Sequence, residues 1–275
     1  MDHYENFPVA SWLCPARLRP PIAAIYLFAR TADDIADEGL APASQRLADL
    51  AAFRNDLQAA ATDSPDSGRW PQVFRPLKLV LKDFCLPIVL LEQLLEAFEQ
   101  DVRFTASSRR YETDAELLDY CRRSANPVGR LLLHLYGVQD PHSLKQSDQI
   151  CSALQLINFW QDLSVDIKRS RWYPSLQTMR QFEVTDADLQ TSSRSGQAAH
   201  LVSHYVREAR GMMQRGAPLA CRLKGRAGWE LRFVVQGGLR ILDKIEAIEH
   251  RSWLQRPTLG WCDLPLLAWR AWRMR

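Results

Sequence analysis

The stretch PPIAAIYLFARTADDIADEG, residues 20–39, decides how this chain is read. Two prolines open it, where a helix tolerates them because its first N–H groups have no intrahelical partner, and a glycine closes it. Apolar residues run between them at helical spacing, and the last two turns carry Asp33, Asp34, Asp37 and Glu38 beside Arg30. Asp33 and Asp37 stand four apart, so on a helix they point the same way with Cβ atoms roughly 6 Å apart, and Asp34 and Glu38 repeat the relation. Like charges at that spacing destabilise a helix by roughly 0.2–0.5 kcal/mol per pair. Two readings are open: Arg30 offsets the repulsion at a solvated helix end, or the carboxylates serve a ligand. The preceding PPIAAIYLFA is apolar on nearly every side, as in a helix buried in a bundle, and that favours the ligand.

A second cluster lies in LQLINFWQDLSVDIKRSRWYP, residues 154–174. Asn158, Asp162 and Asp166 are spaced i, i+4, i+8, which keeps three oxygen donors on one stripe of a continuous helix. Leu154, Ile157, Phe159, Trp160, Leu163 and Val165 surround them with apolar surface. Two such stripes on separate helices can face one another across a bundle core. Oxygen donors of this kind suit Mg²⁺, which retains waters and bridges carboxylates to a substrate phosphate. Lys168, Arg169 and Arg171, one turn further on, supply positive charge for the same phosphate oxygens.

The rest of the chain reads as helix, with no convincing run of alternating β-branched residues, so the fold class is all-α. Ser44 begins the next helix, TDSPDSGRWP (62–71) is a loop, and IVLLEQLLEAFEQDVRF (88–104) is amphipathic. Thr113 and Glu116 form a capping box for a helix running through LLDYCRRSANPVGRLLLHLYG, kinked at Pro127. Two long helical stretches come after it, SLKQSDQICSALQLINFWQDLSVDIKR and ELRFVVQGGLRILDKIEAIEH. No repeat and no Gly/Ser linker divides the sequence, and one domain over residues 1–250 with a tail over 251–275 is the simplest organisation.

With 275 residues, 47% of them hydrophobic, the chain can bury a large core. A net charge of +3, spread along the sequence, gives no footprint for nucleic acid. The six cysteines form no Cys-x-x-Cys pair and are expected to be buried thiols in a reducing cytoplasm. No window offers the ~18 apolar residues of a spanning helix. His200 and His204 are the one histidine pair at a metal-binding spacing, and with no carboxylate between them they make a poor zinc site.

The landmarks LRPPIAAIYLFARTADDIAD, YCRRSANPVG and NFWQDLSVDIKRSRWYP, in that order, resemble the head-to-head prenyl synthases, the squalene/phytoene synthase family. ENFPVAS together with RPPIAAIYLFARTADDIADEG looks most like the hydroxysqualene synthase branch of hopanoid-producing bacteria. The resemblance implies an isoprenoid-synthase helical bundle with a central cavity. It also implies a prenyl diphosphate substrate, presqualene diphosphate in that branch, with upstream and downstream enzymes of squalene synthesis as partners. In the family pattern Asp33, Asp34 and Asp37 are the first set of Mg²⁺ ligands and Asn158, Asp162 and Asp166 the second. Tyr26, Arg30 and Gln155 fall at catalytic positions near the diphosphate, and Lys168, Arg169, Arg171 and Tyr173 in a basic segment that closes over it. The chemistry implied is ionisation of the diphosphate, rearrangement of the cation and capture by water, with hydride from NADPH replacing water in squalene synthases. A presqualene diphosphate, squalene or phytoene synthase and a non-catalytic family member are the alternatives. The chain departs from the family at Asn126, Pro127 and Gln161, in a shortened RWYP, and near Gly238, where a tyrosine is common.

The tail HRSWLQRPTLGWCDLPLLAWRAWRMR holds four of the nine tryptophans. Residues 251–275 carry five Arg against one Asp. Two readings stay open: a terminal helix packing its indoles on the bundle, or peripheral attachment to a membrane, where Trp sits at headgroup level and Arg meets anionic lipid.

Overall fold

Residues 14–190 and 195–274 are described in a computed structural model of the chain, and every regular element among them is helical. In order these are α1 (Arg19–Asp37), α2 (Ala43–Thr62), α3 (Pro71–Asp83), α4 (Ile88–Ser107), α5 (Asp114–Ser124), α6 (Asn126–Leu135) and α7 (Pro141–Gln161). The remaining helices are α8 (Leu163–Asp166), α9 (Leu176–Gln181), α10 (Asp186–Gln190), α11 (Gly196–Gly216), α12 (Pro218–Arg222), α13 (Gly225–Ala247) and α14 (Leu264–Arg273). ENFPVAS and His3 lie outside the described residues. None of the described helices is long and apolar enough to cross a membrane.

Local chemistry sets the boundaries. Pro20 and Pro21 occupy the first turn of α1, and Gly39 past its end takes φ +80°, open to glycine at little cost. Thr113 accepts the Glu116 N–H at 3.2 Å, while the Glu116 carboxylate reaches the Glu112 N–H, one residue earlier than a capping box requires. The helix expected to run on through Pro127 stops at Ala125 (φ −121°, ψ −45°). Pro127 then lies in the first turn of α6, where its missing N–H costs nothing, and kinks no helix.

The described residues form two compact units, one of Met1–Ser107 with Pro127–Gln139 and one of Ser108–Asn126 with Asp140–Arg275. In the first, α1 turns Ile22, Ile25, Phe28, Ala32 and Ala36 inward at three- and four-residue spacing. Phe28, Phe53, Phe74 and Trp70 meet there, with Phe53 5.1 Å from Phe28, 4.7 Å from Phe74 and 5.0 Å from Trp70 between ring centroids.

In the second unit, α7 and α11 cross closely at Gly216. A Cβ there would stand 2.6 Å from Ile150 Cγ1 and 2.7 Å from the Gln146 carbonyl oxygen. Trp160 of α7 stacks on Tyr205 of α11 at 4.0 Å, and the Tyr205 hydroxyl donates to Asp114 and accepts the Ser175 N–H at 3.0 Å. The tail is tied to α13 through Asp263, whose buried carboxylate accepts from Arg240 Nε (2.7 Å), Lys244 Nζ (2.6 Å) and the Gly260 N–H (2.8 Å).

The cysteines correct the sequence reading. All six are free thiols; Cys14 and Cys121 are buried, but Cys85 and Cys262 are exposed, because each falls in or beside a turn rather than on a helix face turned to the core. Burial pushes the Cys121 thiol up to about 12, so it is inert at neutral pH.

Two measurements test this packing. Gly216→Val should cost about 1–3 kcal/mol of unfolding free energy in urea titrations, since backbone blocks the new side chain. Gly211→Ala in the same helix meets only the mobile end of Arg215 and should instead gain up to about 1 kcal/mol. The second test is acid. Lys244 first, then the Gly260 N–H and Arg240, hold the Asp263 carboxyl well below the usual carboxylate range, against the opposing effect of burial. Its contribution is therefore complete above the unfolded value of about 4 and is lost as the pH falls from there. Asp263→Asn should flatten that limb of a stability-against-pH curve.

Candidate functional site

The first carboxylate segment is the C-terminal end of α1. Tyr26, Arg30, Asp33 and Asp34 are half-buried there, and Asp37 and Glu38, at the very end of the helix, are exposed. The Arg30 guanidinium lies among three carboxylates, 3.3 Å from Asp33, 2.5 Å from Asp34 and 3.0 Å from Glu38. Burial lowers the Arg30 pKa, but Asp34, Asp33 and Glu38 outweigh it, so the guanidinium is held above its ordinary value. The repulsion expected from the sequence is thus offset from within the helix.

The second segment belongs to α7 and the short turns beyond its C-terminus. Cys151, Gln155, Asn158 and Asp162 recur as half-buried residues at i, i+4, i+7 and i+11, flanked by buried Leu156, Ile157, Phe159 and Trp160. The continuous helix expected through Arg169 is interrupted. Asp162 takes φ −97°, ψ 9°, α8 adds one turn, and Ile167–Arg169 tighten into a 3₁₀ turn. The stripe survives the break because Asp162 N–H still donates to Asn158 O and Asp166 N–H to Asp162 O, both at 2.9 Å.

The break coincides with a contact that the sequence did not announce. Arg256, from the segment after α13, donates through Nε to Asp162 Oδ1 at 2.5 Å, and the buried Gln161 side chain donates to the Pro257 carbonyl at 2.8 Å. No spacing rule connects residues 94 apart, and the only hint was an arginine beside a proline in the tail.

The basic segment divides by role. Lys168 and Arg169 are exposed, Ser170 turns through the left-handed region at φ +59°, and Arg171 is half-buried with its N–H on Asp166 O at 2.9 Å. Tyr173 stacks on Phe159 with ring centroids 3.6 Å apart, which fixes the segment against α7. The structure therefore groups Tyr26, Arg30, Asp33, Asp34 and Asp37 on α1 in the first unit. It groups Gln155, Asn158, Asp162, Asp166, Lys168, Arg169, Arg171 and Tyr173 in the second.

The candidate ligands Asp33, Asp34, Asp37, Asn158, Asp162 and Asp166 all offer oxygen, the chemistry of a hard cation. Among the described residues no three His, Cys, Asp or Glu converge as a closed metal cage. Three departures from the family pattern have local reasons. Gln161 supplies a neutral donor to the tail backbone in a buried place, and Asn126 accepts the Ser152 hydroxyl at 2.8 Å. A Cβ at Gly238 would meet Met213, Ile157 and Leu154 at 2.9–3.2 Å, so a tyrosine has no room.

A family model described as squalene/phytoene synthase matches residues 1–262. A Zymomonas mobilis protein named hydroxysqualene synthase is 39% identical over 67% of this chain, and the match spans 59% of that relative. A Sinorhizobium fredii protein of the same name is 32% identical, covering 89% of this chain and 79% of its own. The crystal structure of squalene synthase HpnC from Alicyclobacillus acidocaldarius superposes with a TM-score of 0.80 at 32% identity, over 90% of each chain.

Arg256→Gln should lower stability by about 1–3 kcal/mol, because it withdraws a charged donor from a carboxylate only 17% exposed. A double-mutant cycle with Asp162→Asn, read by thermal unfolding, isolates the pair; additive losses would mean that the contact contributes nothing.

Proposed function

The chain belongs to the squalene/phytoene synthase family, and from that membership we propose that it is a hydroxysqualene synthase, taking presqualene diphosphate and water to hydroxysqualene and pyrophosphate. The observation that carries the reading is that both functional segments combine oxygen donors with cations: Arg30 among the α1 carboxylates, and Asn158, Asp162 and Asp166 followed by Lys168, Arg169 and Arg171. A diphosphate leaving group needs such a mixture. The name shared by the two relatives favours the water-capturing branch.

In this reading Asp33, Asp34 and Asp37, with Asn158, Asp162 and Asp166, hold Mg²⁺, which when bound neutralises charge on the diphosphate. Arg30, Lys168, Arg169 and Arg171 donate to the diphosphate oxygens, and they do so most strongly as the carbon–oxygen bond breaks and charge accumulates there. Tyr173, stacked on Phe159, keeps that basic segment in place. The cation left behind is reactive toward any water, so the apolar side chains flanking the α7 stripe exclude solvent. Tyr26, Gln155 and Asn158 are the half-buried polar groups available to hold the one water that is captured.

A second reading, a squalene synthase that quenches the same cation with hydride from NADPH, is favoured by the name of the Alicyclobacillus structure. The experiment that separates them incubates the purified protein with Mg²⁺ and presqualene diphosphate, with and without NADPH, and identifies the product by mass spectrometry. An alcohol formed without NADPH is expected. Squalene formed only with NADPH would establish the second reading, and no turnover would overturn both. Asp33→Asn and Asp162→Asn should each lower kcat by about 10²–10³ while circular dichroism stays unchanged; undiminished turnover would remove these residues from the ligand set.

A further inference from the structure

The C-terminal helix carries a surface that the proposed reaction does not use. Among the described residues Leu40, Leu79, Val89 and Leu118 are exposed singly along the chain, whereas Trp229, Leu254, Leu259, Trp261, Leu264, Trp269 and Trp272 all belong to α13, α14 and the loop between them. Trp261 is 88% exposed, Trp272 70% and Trp269 51%. The indoles of Trp70 and Trp160, and of Trp253 at the start of the tail, are buried. A helix that merely packed its tryptophans on the bundle would turn them inward. Here Leu267 and Ala271 face α13, with Arg270 paired to Asp243 at 2.7 Å, while Trp261, Pro265, Ala268, Trp269 and Trp272 point to solvent.

The charges around this face are mainly positive, with the half-buried Glu230 beside Trp229 the acidic exception. Arg273 lies over the Trp269 ring at 4.8 Å and Arg232 over Trp229 at 4.9 Å. Arg232 also donates to the Ala271 carbonyl at 3.5 Å, which brings the Trp229 neighbourhood beside the last turn of α14. Exposed Lys224 and Arg226 stand at the start of α13, one turn before Trp229. Nearby carboxylates are engaged elsewhere, Asp243 by Arg210 and Arg270 and Asp263 by Arg240 and Lys244. Residues 218–275 hold eleven Lys and Arg against five Asp and Glu, a net +6 in a chain whose total is +3.

We propose that this face, Trp261, Leu264, Trp269 and Trp272 of the tail with Trp229 and its flanking Arg226, Arg232 and Arg273, is a docking surface for an anionic lipid bilayer. An indole has an apolar body and one N–H, and it is most stable at headgroup depth. Guanidiniums at the rim meet lipid phosphates at the same depth. This rim offers cations and an aromatic centre, the complement of a negatively charged membrane. The surface stands on its own geometry and holds whichever reaction the enzyme performs.

The test is co-sedimentation of the full chain with phosphatidylcholine vesicles and with vesicles that also contain phosphatidylglycerol, alongside tryptophan emission. The protein should pellet with the anionic vesicles, with a blue-shifted emission, and should be released by high salt. The triple variant Trp261→Ser, Trp269→Ser, Trp272→Ser should bind about tenfold more weakly or worse. Arg226→Gln with Arg273→Gln should lose about fivefold per charge on anionic vesicles only. All these positions are exposed, so melting temperatures should hold. Failure of the native chain to pellet, or equal binding by the triple variant, would overturn the proposal. A lipid-free dimer in sedimentation velocity that the triple variant abolishes would assign the face to a second copy and would equally overturn it.

Discussion

A carboxylate drawn partly out of water must find a cation or a set of donors, and in this structure that requirement fixes three segments. Arg30 gathers Asp33, Asp34 and Glu38 at the end of α1, Arg256 holds Asp162 where α7 gives way to α8, and Arg240 with Lys244 holds Asp263 at the entrance to α14. The solutions differ in reach. Arg30 is three to eight residues from its partners and makes the helix end self-sufficient. The other two close loops of the chain, so each fixes a tertiary position as well as a charge.

That difference explains what the sequence disclosed. The α1 boundaries follow from Pro20, Pro21 and Gly39, and the all-α class from periodicity, because both depend on neighbours in sequence. Arg30 was legible for the same reason. The break at Asp162 was not, since i, i+4, i+8 spacing describes an ideal helix and carries no trace of an arginine from the tail. Nor was the end of α5 at Ala125, where Pro127 suits a new first turn as well as a kink. Exposure of Trp261, Trp269 and Trp272 lay between these cases: composition posed the question, and only the packing of Leu267 and Ala271 on α13 answered which way the indoles face.

The departures from the family pattern form a coherent set. Gln161 and Asn126 fit neighbours from different elements, a backbone carbonyl and a serine hydroxyl, and the bare backbone at Gly238 leaves room for the Met213 tip. None carries a charge, so none requires a counterion in a place where water is scarce. Gly216 admits Ile150 and the Gln146 carbonyl, and Tyr205 stacks on Trp160, so shape holds α7 against α11, with Arg215 donating to Gln149 across the same pair of helices.

The pairing of Asp162 with Arg256 also has a consequence in time. Chains emerge from the ribosome at about 5–20 residues per second, so the 94 residues between the two partners separate their appearance by roughly 5–20 seconds. Throughout that interval the helical turn around Asp162 exists without the guanidinium that holds it in the finished fold. Maturation of the second donor segment thus waits on residue 256, and a nascent chain cannot complete it early.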